Sequence, residues 1–337
     1  MKVDVHAHCY PPDYVKQLDK LGIGGEGGVG VTVPVWDGAA ERIARMDELG
    51  IDVQVLNLSA PNVYFPDRRL SKAMARETND FLADVVAQEP GRFLAAGSVP
   101  LGNLDDALEE LARLTDELKL DGVMLGTNVA GRPLSDDFFL PFFAEVDRRR
   151  VPVVIHPIRS VIEDLMPKED VSLGLPTSVG FLFETTRTIA QMTYKGTFER
   201  FPHLTFVLPH SGGAIPFLAP RWDIFYRSRP AGHPLRNLPQ APSAYLKRHY
   251  YDTALSYAHS SMRCTLDLVG IDHLVFGTDF PYTNDFRARE TVESIEGHPG
   301  LKAEDKEKIF FRNAATVFPR LTSPASQQGL ADCWRPL

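Results

Sequence analysis

Cysteine is scarce in this chain: Cys9, Cys264 and Cys333 are the only three, far apart and odd in number. They form no disulfide framework, and their low count suits a reducing compartment. No window approaches the 18 uninterrupted apolar residues of a membrane helix, and Met1-Lys2-Val3-Asp4 opens without the apolar core of a secretory signal. The expected setting is therefore cytoplasmic, with no membrane partner. Basic residues are also in the minority: 36 Lys and Arg face 44 Asp and Glu, a net charge of −8. A polyanion such as nucleic acid is excluded as a partner. An anionic small molecule is not, because a metal and a few arginines can make one cleft locally positive. No GxGxxG opens a helix after the first strand-like run, which argues against a dinucleotide-binding open sheet.

What the sequence does contain is a repeat of apolar runs and amphipathic stretches. Strands are expected at Val3–His8, Val53–Ser59, Phe93–Pro100, Gly122–Thr127, Pro152–His156, Leu204–His210, Tyr250–Ser256 and His273–Asp279. Runs such as VQVLNLS and PVVIHP are almost continuously apolar, as strands of a parallel sheet covered on both faces must be. Helical periodicity fills the gaps, at Ala39–Leu49, Leu70–Gln88, Leu104–Leu118 and Phe138–Arg149. Eight such units in succession predict an α/β (β/α)8 TIM barrel over residues 1–321, one domain, with a Ser/Pro/Gln-rich tail at 322–337. Three segments break the repeat, at 10–37, 157–176 and 226–243, and read as long loops after strands 1, 5 and 6.

The chemistry is concentrated at strand ends. His6 and His8 are two apart on strand one, so both imidazoles face one side and can share an ion. His156 closes PVVIH, His210 closes TFVLPH and Asp279 closes LVFGTD. In a parallel barrel those ends share one rim, where active sites lie. Neutral imidazoles with a carboxylate make a good site for a divalent metal. Any one of these residues alone reads as a capped strand end or a satisfied histidine. Five together on four strands do not. Cys9 follows the pair and should point to the opposite face.

These motifs resemble the amidohydrolase superfamily: HxH after strand one, IHP after strand five, PHSGG after strand six and GTDFP after strand eight. ERIARMDELGID and YYDTALS extend the likeness, which runs from Met1 to about Leu321. It points in particular to the branch of aminocarboxymuconate-semialdehyde decarboxylase and the o-hydroxybenzoate decarboxylases. The resemblance implies that His6, His8, His156 and Asp279 are metal ligands and that His210 is the acid/base beside them, with Asp279 sharing the catalytic role. Two-metal members bridge their ions with a carbamylated lysine at the end of strand four. Strand four here ends Leu125-Gly126-Thr127-Asn128, and Lys119 precedes it on the wrong side of the barrel, so one divalent metal is expected, zinc or alternatively manganese. The implied reaction is non-oxidative loss of CO2 from a small carboxylic acid, without an organic cofactor. Hydrolysis of an amide or lactone on the same scaffold is the alternative, and a non-catalytic metal-binding protein leaves His210 without a purpose.

For the substrate, Arg229 in RSRPAG resembles a family arginine that reaches into a neighbouring subunit's site, which implies a homodimer. Muconate-semialdehyde decarboxylases carry an arginine just before a Trp-Asp pair, whereas GVGVTVPVWDG has none between Lys2 and Arg42. That favours a monocarboxylic, salicylate-like acid over a dicarboxylate. Trp36, Phe181, Phe183, Phe280 and Tyr282 offer an aromatic wall, with Trp36 and Phe280 as the substrate-binding candidates beside Arg229.

Overall fold

The computed structural model describes residues 1–23, 33–159 and 167–322. Eight parallel strands form one sheet in chain order: β1 Val3–His8, β2 Val53–Asn57, β3 Phe93–Ser98, β4 Gly122–Gly126, β5 Val153–His156, β6 Phe206–Leu208, β7 Tyr250–Asp252 and β8 Leu274–Val275. The barrel closes between its ends, where Val5 N–H donates to Phe276 O (3.0 Å), Asp279 N–H to His6 O (2.9 Å) and His8 N–H to Phe280 O (2.7 Å). Eight helices follow the strands: α1 Ala39–Leu49, α2 Arg68–Gln88, α3 Leu104–Asp116, α4 Leu140–Arg149, α5 Phe181–Tyr194, α6 Ile215–Ser228, α7 His259–Val269 and α8 Asp285–Glu296. This is the (β/α)8 barrel that the repeat predicts.

The strands are shorter than the apolar runs at their carboxyl ends. Pro100 and Pro209 have no N–H to extend a ladder, and Asp279 adopts a left-handed φ of 66° that no strand accommodates. The expected loop at 10–37 contains a helix, Pro12–Lys20, whose buried stripe of Tyr14, Val15 and Leu18 is too thin to mark it in the sequence. The glycine run within it lies outside the described residues from Gly24 on, as do 160–166 of the segment after β5 and the tail from residue 323. The long segment 226–243 needs a correction. It does not follow strand six: β6 passes to α6 through the short turn Pro209–Ala214, and the long connection comes after α6. It therefore leads back into β7 rather than away from the rim that carries the site.

Two apolar layers separate cleanly. Inside the barrel, Val5, Val55, Leu94, Ala96, Met124, Val154, Val207 and Val275 pack together, and Ala314, Val317, Phe318 and Leu321 complete the same cluster. The C-terminal turn thus plugs the barrel's interior. Outside, Ala7, Leu56, Phe93, Phe206 and Phe276 meet the helices.

One irregularity in β1 matters for function. Asp4 pairs with Gln54 and Ala7 with Leu56, so Val5 and His6 together oppose Val55. Such a bulge reverses the inside-outside alternation. Val3 and Val5 lie in the inner layer before it, and Ala7 and Cys9 in the outer layer after it, which leaves His6 and His8 facing the barrel mouth. Cys9 is fully buried there, and burial pushes its thiol up to about 12, as an inert core residue. Phe318 is 1% exposed in the plug. Phe318→Ala is expected to cost about 3–5 kcal/mol and to lower the melting temperature by several degrees, with metal stoichiometry unchanged, as read by calorimetry and elemental analysis.

Candidate metal centre

The barrel brings His6, His8, His156 and Asp279 to one point, with one potential ligand atom from each lying within 4.8 Å of the others. All four are buried. His6 Nε2 stands 3.1 Å from His8 Nε2, and Asp279 Oδ1 lies 3.1 Å and 2.9 Å from those two nitrogens and 3.9 Å from His156 Nε2. Ligands about 2.0–2.1 Å from a tetrahedral zinc stand about 3.3 Å apart, so the spacing fits one ion.

The other ring nitrogens fix this arrangement. His6 Nδ1 donates to Asp252 Oδ2 (2.7 Å), His8 Nδ1 to Asn57 Oδ1 (3.0 Å) and His156 Nδ1 to Pro157 O (2.8 Å), with Ser59 Oγ also 2.8 Å from His156 Nδ1. Each acceptor holds the proton on Nδ1 and leaves an Nε2 lone pair aimed at the common centre. Two such lone pairs 3.1 Å apart repel unless positive charge sits between them. The electrostatics show that demand. Burial opposes charge on His6, yet Asp252 and Asp279 outweigh it and raise its pKa to about 10. Burial also opposes charge on Asp279, but His6 and the other imidazoles hold it well below the usual carboxylate range. His156, without an acidic partner as close, is pushed down to about 3 by burial. The donor set, three imidazole nitrogens and a carboxylate oxygen converging on one point, fits a divalent metal.

His210 borders the cluster without joining it. Its Nε2 is 3.7 Å from Asp279 Oδ2, the oxygen turned away from His6 and His8, and its ring lies 5.2 Å from that of His6 and 5.4 Å from that of His156. Backbone strain helps to aim it. His210 and Ser211 have left-handed φ of 53° and 55°, unfavourable for residues with a Cβ. Gly212 and Gly213 follow, because a Cβ on Gly213 would lie 2.2 Å from Leu182 O. Asp252 Oδ1 accepts from His210 N–H (2.7 Å) and Ala254 N–H (3.0 Å). Asp252 therefore orients His6 with one oxygen and the His210 turn with the other.

The cluster opens on a cavity of ≈ 440 Å³ whose wall includes Ser59, Ser178, Phe181, Tyr282 and Arg287 beside His156, His210 and Asp279. Phe181 packs edge-on to His156 at 6.0 Å, and Tyr282 edge-on to His8 at 5.6 Å. The Tyr282 hydroxyl is 2.8 Å from that of Tyr10. Other aromatic candidates lie elsewhere. Trp36 and Phe280 sandwich the Arg42 guanidinium at 4.7 Å and 4.6 Å and are absent from the cavity wall. Arg42 donates to His8 O and Gln54 Oε1 in the strand-helix layer, so both rings brace β1 from behind. Phe183 is exposed, and Arg229 lies exposed at the end of α6 with its guanidinium over Phe225, absent from the cavity wall.

Sequence reasoning assigned no role to Asp252, Asn57, Ser59 or Arg287. Asp252 carried a signal, since it closes the run YYD as Asp279 closes its own run. Asn57 and Ser59 are ordinary polar residues at a strand end.

Residues 3–320 match the amidohydrolase family, and the chain belongs to it. It is similar to 2-amino-3-carboxymuconate-6-semialdehyde decarboxylase of Dictyostelium discoideum, 29% identical over 88% of this chain and 86% of that one. It is also similar to gamma-resorcylate decarboxylase of Rhizobium sp. strain MTP-10005, 30% identical over 82% and 86%. A crystal structure of 2,6-dihydroxybenzoate decarboxylase complexed with 2,6-dihydroxybenzoate aligns with a TM-score of 0.81 at 25% identity, covering 94% of this chain and 99% of that one.

Asp252→Asn keeps the shape but removes the charge behind His6. It is expected to weaken metal affinity about 10–100-fold, measured by competition with a chromophoric chelator, with a melting temperature near that of the parent.

Proposed function

We propose that this protein is a metal-dependent, non-oxidative decarboxylase of a small aromatic carboxylic acid, with His6, His8, His156 and Asp279 holding one divalent ion. The observation that carries this reading is the four-residue cluster with His210 beside it, opening on a cavity of ≈ 440 Å³, roomy enough for a substituted aromatic ring. The kinship with decarboxylases of carboxylated rings and of a muconate acid supports it. Three imidazoles and a carboxylate suit zinc, with manganese the alternative that metal analysis distinguishes. A bound ion would offset the negative charge of the substrate carboxylate and polarise an adjacent hydroxyl.

The chain's own residues do the rest. Phe181 and Tyr282 flank the ring and exclude water. Asp279 divides its labour: Oδ1 faces the ligand imidazoles, and Oδ2 faces His210 Nε2 across 3.7 Å at the cavity wall. That pair handles the proton which must reach the ring carbon bearing the carboxylate. Once that carbon is protonated, the carbon–carboxylate bond breaks, CO2 leaves, and the ring recovers its aromaticity with a hydrogen in place of the carboxylate. Asp252 keeps the His210 turn in register throughout.

We further propose a homodimer, in which Arg229 serves the neighbouring subunit. Phe217, Ile224 and Phe225 stand exposed on α6 just before it, an apolar face suited to a second copy. A cytoplasmic setting fits, and among the described residues no helix is long and apolar enough to cross a membrane.

Elemental analysis paired with CO2 release from salicylate and dihydroxybenzoates tests this reading. His156→Ala is expected to lose bound metal. His210→Ala is expected to keep it while turnover falls about 10²–10⁴-fold. Full activity in His210→Ala, or water-dependent opening of a lactone with no CO2 from any ring acid, would refute decarboxylation.

A further inference from the structure

The cavity wall contains one permanently charged cation among the described residues, Arg287. It belongs to α8, which begins just beyond Asp279. The intervening turn is pinned by Thr283, whose N–H donates to Asp279 O (3.1 Å) and whose hydroxyl donates to Thr278 O (3.0 Å). Asn284 then caps the helix by accepting from Arg287 N–H (3.0 Å). The arginine's backbone is thus fixed relative to the metal-binding carboxylate by a short hydrogen-bonded segment.

No charge on its own helix holds it there. A cation in the first turn of a helix opposes the positive end of the helix dipole. Among the described residues no carboxylate lies within ion-pair distance of the exposed Arg287 guanidinium; the same holds for Arg221, Arg227 and Arg263, but of these Arg287 alone borders the cavity. The natural i+3 partner, Glu290, instead accepts the Tyr257 hydroxyl at 2.7 Å. Arg287 is exposed and unpaired at the cavity rim, and the acidic group in the same wall, Asp279, is turned to the histidines, so the arginine's fork is free for a carboxylate. The space also exceeds a single ring: about 150 Å³ suffices for benzene, against the ≈ 440 Å³ here.

We infer that Arg287 is a specificity-determining residue which binds a second acidic group on the substrate, so that the preferred acid carries one carboxylate at the metal centre and another anionic group at the cavity mouth. This rests on the decarboxylase reading above and points away from the monocarboxylic acid that the N-terminal segment suggests. The second cation is supplied by the α8 turn rather than by the loop after β1.

The test compares salicylate with its 4-carboxy and 5-carboxy derivatives on metal-loaded enzyme, by CO2 release and by calorimetric binding. The parent is expected to favour at least one diacid over salicylate by tenfold or more in kcat/KM, with the preference shrinking as salt rises. Arg287→Gln should reduce the diacid-to-salicylate ratio at least tenfold, through KM rather than kcat, and Arg287→Lys should restore part of it. A parent that prefers salicylate to both diacids, or an unchanged ratio in Arg287→Gln, overturns the assignment of Arg287 alone. A metal-loaded parent that neither binds nor decarboxylates any ring acid overturns the decarboxylase reading, and this inference with it.

Discussion

Three imidazole nitrogens and a carboxylate oxygen converge within 4.8 Å of one another, and the barrel around them holds them there. In water such a cluster would scatter or protonate. Here each ring is held from behind, by Asp252, Asn57, Ser59 and the Pro157 carbonyl, so that only its Nε2 face is free. The result is a concentration of negative potential, and its donor set fits a divalent cation. Backbone strain at His210, Ser211 and Asp279 is tolerated because the barrel around them is packed well enough to enforce it.

The two layers of the fold divide this work. The inner valines and the plug around Phe318 make a rigid floor below the site. The bulge in β1 turns two histidines toward the mouth just above that floor, while Arg42, clamped between Trp36 and Phe280, ties the back of β1 to β2 through Gln54. The aromatic residues that border the cavity are Phe181 and Tyr282. Trp36 and Phe280 reach the chemistry only through the strand they support.

Much of this was legible in the sequence because a closed parallel barrel converts a local property into a spatial one. A polar residue that ends an apolar strand must lie on the catalytic rim, so His6, His8, His156, His210 and Asp279 could be gathered before any coordinates. What escaped depends on tertiary detail. The bulge leaves no compositional trace, and the function of Asp252 requires knowing that β7 stands beside both β6 and β8. Arg287 owes its place to the capped turn after Asp279. The segment 226–243 follows the sixth helix rather than a strand's carboxyl end, because Pro209 and the two glycines compress the connection after β6 into six residues. Aromatic type alone cannot separate packing on a buried arginine, as Trp36 and Phe280 do, from lining a cavity.

Anomalous diffraction from crystals of the metal-loaded protein tests the central claim most directly. A single peak bonded by Nε2 of His6, His8 and His156 and by Oδ1 of Asp279, with His210 outside bonding distance, is the result this account requires. Two peaks, or one peak bonded to His210 in place of any of the four, would contradict it.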